Sequence, residues 1–291
     1  MSYRRIKNSP FAAFCGLPLL NCGFHTFAAM SDQKSTLDLA LVQSHLHWED
    51  PEANFKHLGQ RLEACPTADL ILLPEMFTTG FTMQPKELGE QSEGPTLAWL
   101  RAWAQKKDAA ISGSIIVQEE EEYYNRLYFV FPDGDYRTYN KRHLFSLAGE
   151  EKVYTPGRAP LFVHYKGWHI NPQICFDLRF PVWCRNTRSV DLQFFVANWP
   201  ARRAYAWQTL LPARAIENLC YVAGLNRVGA DGNGVEHSGD SAVYDALGKK
   251  ISALPPNQEG IAVIRLEKSH LEETRQRFSF LEDRDQFTLS Y

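Results

Sequence analysis

Three ionisable residues stand where apolar stretches of the chain run out: Glu75, Lys141 and Cys175. Cys175 ends the run His169 to Ile174, and Asp177, Arg179 and Pro181 follow it. A thiol in the sharp turn after a buried strand lies at a carboxyl strand end, where α/β folds place their chemistry. Backbone N–H groups in such a turn lower a thiol pKa and receive an oxyanion. Glu75 closes the run Asp69 to Met76 and reads as a general base. Lys141 lies in YNKRHLF, three bases between aromatics, and reads as a fixed cation. Taken singly, each has a plainer reading: a core thiol, a solvated carboxylate, a solvated lysine. Together they are a nucleophile, a base and a charge for a developing oxyanion.

The elements that must position them follow from pattern. Asp38 to Gln43 is a short apolar strand. Pro51 to Cys65 reads as a helix, with Asp50 as its cap and Phe55, Leu58 and Leu62 on one face. Asp69 to Met76 is a continuous apolar strand of the kind covered on both faces. Gly94-Pro95 leads into a helix over Thr96 to Lys107. Strands follow at Ala109 to Val117, Arg126 to Phe131 and Tyr136 to Asn140, with Asp133-Gly134 as a hairpin turn. After His169 to Ile174 and the Cys175 turn, Pro181 opens a stretch of helical character, VWCRN. Asp191 to Asn198 and Cys220 to Asn226 are strands around a long helix, Ala204 to Leu219. Gly239 to Val243 and Gly260 to Leu266 complete the strands, with a turn at Asp245 and Gly248, and Lys268 to Phe278 is a final helix. Strands alternating with helices, interrupted by hairpins, predict an α/β protein with two sheets and helices outside them.

Composition narrows the function. The chain has 291 residues, 44% of them hydrophobic, and a formal net charge of -3. Its Lys and Arg are scattered, so nothing favours nucleic acid or an anionic membrane surface. Six cysteines without a CxxC pair suit a reducing, cytoplasmic setting. His45, His47 and His143 lack ligand spacing. Residues 1 to 36 carry no core pattern and read as an extension outside the domain, which spans 37 to 291. Arg4, Arg5 and Lys7 before FAAFCGLPLL imitate a targeting segment imperfectly, because Gly16 and Pro18 interrupt the run. A disordered tail, or translation starting at Met30, are the other readings.

The three residues lie 66 and 34 positions apart, within LLPEMFTTGF, YNKRHLF and QICFDLRFPVWCRN. ANWP at 197–200, ARAIEN at 213–218, NRVG at 226–229 and GDS at 239–241 accompany them. In this order the chain resembles the nitrilase superfamily of carbon–nitrogen hydrolases, with its Glu–Lys–Cys triad. PEMFTTGF, CFDLRFPVW and VANWP are most similar to its omega-amidase branch. The resemblance implies a four-layer αββα sandwich, a homodimer formed through the helical layers, and no cofactor or metal. It implies Cys175 as nucleophile, Glu75 as proton shuttle, and Lys141 with the Phe176 N–H as oxyanion donors. Glu150 matches a supporting glutamate. The substrate would be a small amide bearing a 2-oxo carboxylate. Arg179 is the expected carboxylate partner, with Arg202 and Arg203 in reserve. Phe77, Phe145 and Trp199 are expected to wall the spacer, beside Asn198. A nitrilase, an N-carbamoyl amide hydrolase, an aliphatic amidase and an inactive scaffold protein are the rivals.

Overall fold

The computed structural model describes residues 34–289. The expected extension over residues 1 to 36 lies almost wholly outside the described residues. Lys34 already belongs to the domain, where its ammonium pairs with Asp69 at 2.8 Å. The elements open with β1 (Thr36–Gln43), α1 (Pro51–Ala64), β2 (Leu70–Leu72), α2 (Pro85–Leu88), β3 (Glu90–Gln91) and α3 (Pro95–Lys107). Then come β4 (Ala110–Glu119), β5 (Glu122–Val130), β6 (Tyr136–Asn140), β7 (Val163–Tyr165), β8 (Trp168–Ile174) and β9 (Leu192–Ala197). The chain continues through α4 (Ala204–Asn218), β10 (Tyr221–Asn226), β11 (Val228–Ala230), β12 (Glu236–Ser238) and β13 (Ala242–Tyr244). It closes with β14 (Lys250–Ala253), β15 (Gly260–Glu267) and α5 (Lys268–Arg277).

Two large sheets result. One runs β15-β1-β2-β4-β5-β6, with β3 pairing on β4, and the other runs β14-β13-β10-β9-β8-β7. Each has a parallel centre, β1-β2-β4 and β10-β9-β8, and antiparallel flanks. Alternation along the strands separates the layers. Leu37, Leu39 and Leu41 of β1 join Ile170, Leu192 and Phe194 in the cluster between the sheets. Their neighbours Ala40 and Val42 face the other way and pack with Leu58, Leu62, Leu97 and Leu100 of α1 and α3. On the second sheet, Gly224 of β10 meets Leu211 and Trp207 of α4. The architecture is a four-layer αββα sandwich. Among the described residues no helix is long and apolar enough to cross a membrane.

Three expectations differ from the structure. The strand predicted over Asp69 to Met76 pairs only at Leu70–Leu72. Pro74 lacks an N–H, and Met76 turns the chain at φ 42. No helix follows Pro181. Phe180 is extended, and after a single turn closed by the Cys184 N–H on the Phe180 carbonyl, the side-chain amides of Gln193 and Asn218 take the Cys184 carbonyl and the Asn186 N–H. Gly260 to Leu266 is not the hairpin partner of the strand before Asp245. β14 takes that place, and β15 crosses to the other sheet to pair with β1. The Asp50 cap is present, its carboxylate accepting from the Ala53 N–H.

The α4 packing generates a stability test. A Cβ on Gly224 would sit 2.6 Å from Trp207 Cζ2, well inside van der Waals contact. Gly224→Ala should cost about 1–3 kcal/mol through overpacking and lower Tm by about 3–10 °C. Thermal unfolding by circular dichroism checks this, and an unchanged Tm would show that α4 shifts freely over β10.

Candidate active site

The two sheets bring the three expected residues together at their carboxyl ends. Glu75 follows β2, and the Met76 N–H is held by Ser114 Oγ at 2.9 Å. Lys141 follows β6, its N–H donating to Asn125 O and its carbonyl accepting from Gly157 N–H. The close approach there needs glycine, since a Cβ on Gly157 would collide with the Asn140 backbone. Cys175 follows β8 at φ 44, a left-handed conformation that an L-residue adopts at a cost. The Asp177 carboxylate secures this turn. It accepts from the Ile174 N–H at 3.1 Å, the Tyr139 hydroxyl at 2.7 Å and the His143 N–H at 3.0 Å.

Lys141 is sandwiched between two carboxylates. Its Nζ lies 2.8 Å from Glu75 Oε1 and 3.0 Å from both oxygens of Glu150. All three side chains are buried. Glu75 Oε1 also accepts from Asn125 Nδ2, and Oε2 from the Asn198 N–H, each at 2.8 Å. Glu150 Oε2 accepts from the Phe145 N–H at 2.5 Å. Burial works against the charge on Lys141, but Glu150 and Glu75 outweigh it and hold its pKa above the ordinary lysine value. Burial raises the Glu150 pKa, with Lys141 pulling the other way. Burial, and then the Glu75 charge, push the Cys175 thiol well above its usual range, with Lys141 opposing.

A cavity of about 550 Å³ opens over this cluster. Glu75, Lys141, Cys175, Phe176 and Asn198 form one part of its lining. Arg179, Arg202 and Arg203 also line it, as do Glu49 and Asp231. The Arg179 guanidinium lies 5.0 Å over the Trp199 ring, and that of Arg203 lies 4.8 Å over Phe145. Burial and Arg202, with Arg179 adding to it, lower the Arg203 pKa. Among the described residues none of the three forms an ion pair: Asp177 is bound as above, and Glu217 pairs with Arg214.

A profile of the family described as "Carbon-nitrogen hydrolase" matches residues 38–276. The chain belongs to the carbon-nitrogen hydrolase family. The chain of this carbon-nitrogen hydrolase is 47% identical to "Omega-amidase YafV" of Yersinia enterocolitica, over 88% of its own length and 99% of the relative's. It is 30% identical to "2-oxoglutaramate amidase" of Bacillus subtilis, covering 84% and 96%. The crystal structure of XC1258 from Xanthomonas campestris, described as a CN-hydrolase superfamily protein with an arsenic adduct in its active site, matches with a TM-score of 0.86. That match is at 46% identity and covers 88% of this chain and 99% of the other.

Most residues singled out in the sequence of this carbon-nitrogen hydrolase meet at the cavity: Phe145, Phe176, Arg179, Asn198 and Trp199 beside the three at strand ends. Glu150 reaches the cluster from behind, through Lys141. Phe77 does not line the cavity. Its N–H bonds Ser114 O, and its ring lies in the helix-side core 5.9 Å from Trp99. Phe81 stands at the cavity instead, 5.0 Å from Lys141 Nζ. The expectation of a lowered thiol pKa also fails, because burial and the Glu75 charge outweigh the opposing effect of Lys141. Asn125 and Asp177 were missed. A lone amide inside YYNRLYFV and a carboxylate two residues past the thiol are the signals for them, since buried polar groups must be bonded. Among the described residues no His, Cys, Asp and Glu cluster has the geometry to hold a metal.

The raised thiol pKa has a measurable sign. Alkylation of Cys175 by a neutral haloacetamide should accelerate with pH and still be rising beyond pH 9, because only the thiolate reacts. A plateau near pH 7 would reveal a thiolate at rest and contradict this electrostatic picture.

Proposed function

We propose that this carbon-nitrogen hydrolase is an omega-amidase. It releases ammonia from the terminal amide of 2-oxo acids such as 2-oxoglutaramate and 2-oxosuccinamate, through a thioester on Cys175. The relatives bearing those names support the reading. The observation that carries it is the arginine group at the cavity, without carboxylate partners, beside a buried Glu–Lys–Cys cluster.

The chemistry follows from the positions. Cys175 attacks the amide carbon, and Glu75, which lines the same cavity, takes its proton. A thiol protonated at rest requires such a base at the moment of attack. The oxyanion forms between Lys141 Nζ and the Phe176 N–H. Lys141 Nζ contacts Glu75 Oε1 and both Glu150 oxygens, and one N–H shared between the two Glu150 oxygens frees the third for the oxyanion. Each such donor contributes about 2.7–4 kcal/mol. Glu75 returns the proton to nitrogen, ammonia leaves, and Glu75 then activates water against the thioester. Glu150 keeps Lys141 charged and fixed. The cluster titrates as a unit.

Arg179 is the carboxylate anchor in this reading. Its fork matches two carboxylate oxygens, and Trp199 holds its plane. Phe145 and Trp199 wall the spacer. A cytoplasmic homodimer accords with the four cysteines among the described residues, all free and buried, and with exposed Tyr205, Ile216 and Leu247 around α4.

Two sets of variants test the proposal. Cys175→Ala should abolish ammonia release, and Glu75→Gln should lower it by at least about 10². Retention of a tenth of the wild-type rate by Cys175→Ala would remove Cys175 as nucleophile. The wild type should prefer 2-oxoglutaramate over propionamide by at least about 10² in kcat/KM, since a neutral amide leaves the cation unpaired. Arg179→Met should erase that preference while sparing propionamide. Equal wild-type rates on the two amides would instead favour an aliphatic amidase, and a nitrile or N-carbamoyl substrate preferred in the same panel would name the other rivals.

A further inference from the structure

We propose that the side-chain oxygen of Asn198 accepts a hydrogen bond from the carboxamide nitrogen of the substrate, so that Asn198 selects amides over esters. This deepens the reading of Cys175 as the acylated nucleophile and rests on it.

Asn198 directly follows β9 and is 5% exposed. Its backbone N–H donates to Glu75 Oε2 at 2.8 Å, and its Nδ2 donates to the Glu75 main-chain carbonyl at 2.6 Å. That carbonyl can only accept, so the nitrogen end of the amide is fixed toward it and the oxygen end points away. Oδ1 is buried and has no hydrogen-bond partner. Among the described residues, it is the one such orphaned side-chain atom whose residue lines the cavity. Asn125 Oδ1 and Arg227 Nη1 share the condition but lie outside the lining. An amide oxygen kept unpaired at a cavity floor is an acceptor awaiting a donor. The Glu75 and Lys141 side chains are equally covered, and the substrate must meet both, so the floor yields slightly on binding.

The chemistry identifies the donor. A carboxamide presents one carbonyl oxygen and two N–H bonds. Its oxygen belongs with Lys141 and the Phe176 N–H, which places its nitrogen toward Glu75 and hence beside Asn198. An N–H held by Asn198 Oδ1 turns the nitrogen lone pair toward Glu75 as amide conjugation is lost. The Cys175 sulfur–carbon bond forms, the carbon–nitrogen bond breaks, and the thiol proton leaves on ammonia by way of Glu75. An ester of the same acid forms the same thioester, but its alkoxy oxygen has no hydrogen to offer Asn198.

The test compares kcat/KM for the amide and the methyl ester of one acyl group, because kcat/KM reports acylation alone and both acylations need Glu75 to take the thiol proton. In Asn198→Ala and in the isosteric Asn198→Leu, the amide should lose about tenfold more than the ester, the size of one neutral hydrogen bond. Amide and ester falling in parallel would assign Asn198 a purely structural role and overturn the proposal. Should neither variant fold, Cys175→Ala, which keeps Asn198, should bind the amide about tenfold more tightly than the ester, and equal affinities overturn it equally. The acyl group is whichever the wild type accepts, so failure of 2-oxoglutaramate as substrate bears on the omega-amidase reading and not on Asn198.

Discussion

One ammonium makes the rest of the site possible. Two carboxylates at the buried meeting point of two sheets would repel each other and forfeit their hydration. Lys141 lies within 3.0 Å of both, and neutral donors from Asn125, Asn198 and Phe145 satisfy the remaining oxygens. Breaking a buried pair of this sort by removing one partner typically costs about 3–5 kcal/mol. The loops carrying these groups are therefore constrained by electrostatics as much as by packing. Burial and the neighbouring Glu75 charge disfavour an anion on the Cys175 sulfur. In the proposed mechanism Glu75 therefore takes the thiol proton during attack.

The elbow at Cys175 shows how strain is contained. Its left-handed backbone is held from both sides of the sandwich: Asp177 ties Ile174 of the second sheet to Tyr139 of the first. His143 extends the anchorage, its ring stacked on Phe180 at a centroid distance of 3.6 Å. Trp183 Nε1 donates to the same Tyr139 oxygen at 3.1 Å. Aromatic rings thus fill the volume behind the turn while one carboxylate gathers its donors.

Much of this was legible in the sequence, and the reasons are specific. Long periodic stretches such as Ala204 to Leu219, and runs such as Asp191 to Asn198, announce their structure because one pattern dominates. Strand ends announced the site because Glu75, Lys141 and Cys175 break apolar runs with groups that burial penalises. Illegible were the features decided by distant partners. Phe77 and Phe81 both follow Glu75 within one aromatic-rich loop, and only the Met76 turn sends the first into the core and the second to the cavity. VWCRN has helical composition, yet amides of Gln193 and Asn218 capture its backbone first. β14 is short and largely exposed, so no apolar rhythm marks it.

The supply of the site from both sheets has a consequence for assembly. Glu75 and Lys141 come from one sheet, Cys175 and Asn198 from the other, and the contacts between them span up to 123 residues of chain. Local structure cannot create them, and closing loops of that length precedes any reward from the contacts. The constellation is therefore complete only once the two sheets have docked. A nascent or half-docked chain holds an ordinary cysteine with no base beside it. Competence appears in a single cooperative step, which makes turnover itself a reporter of complete docking.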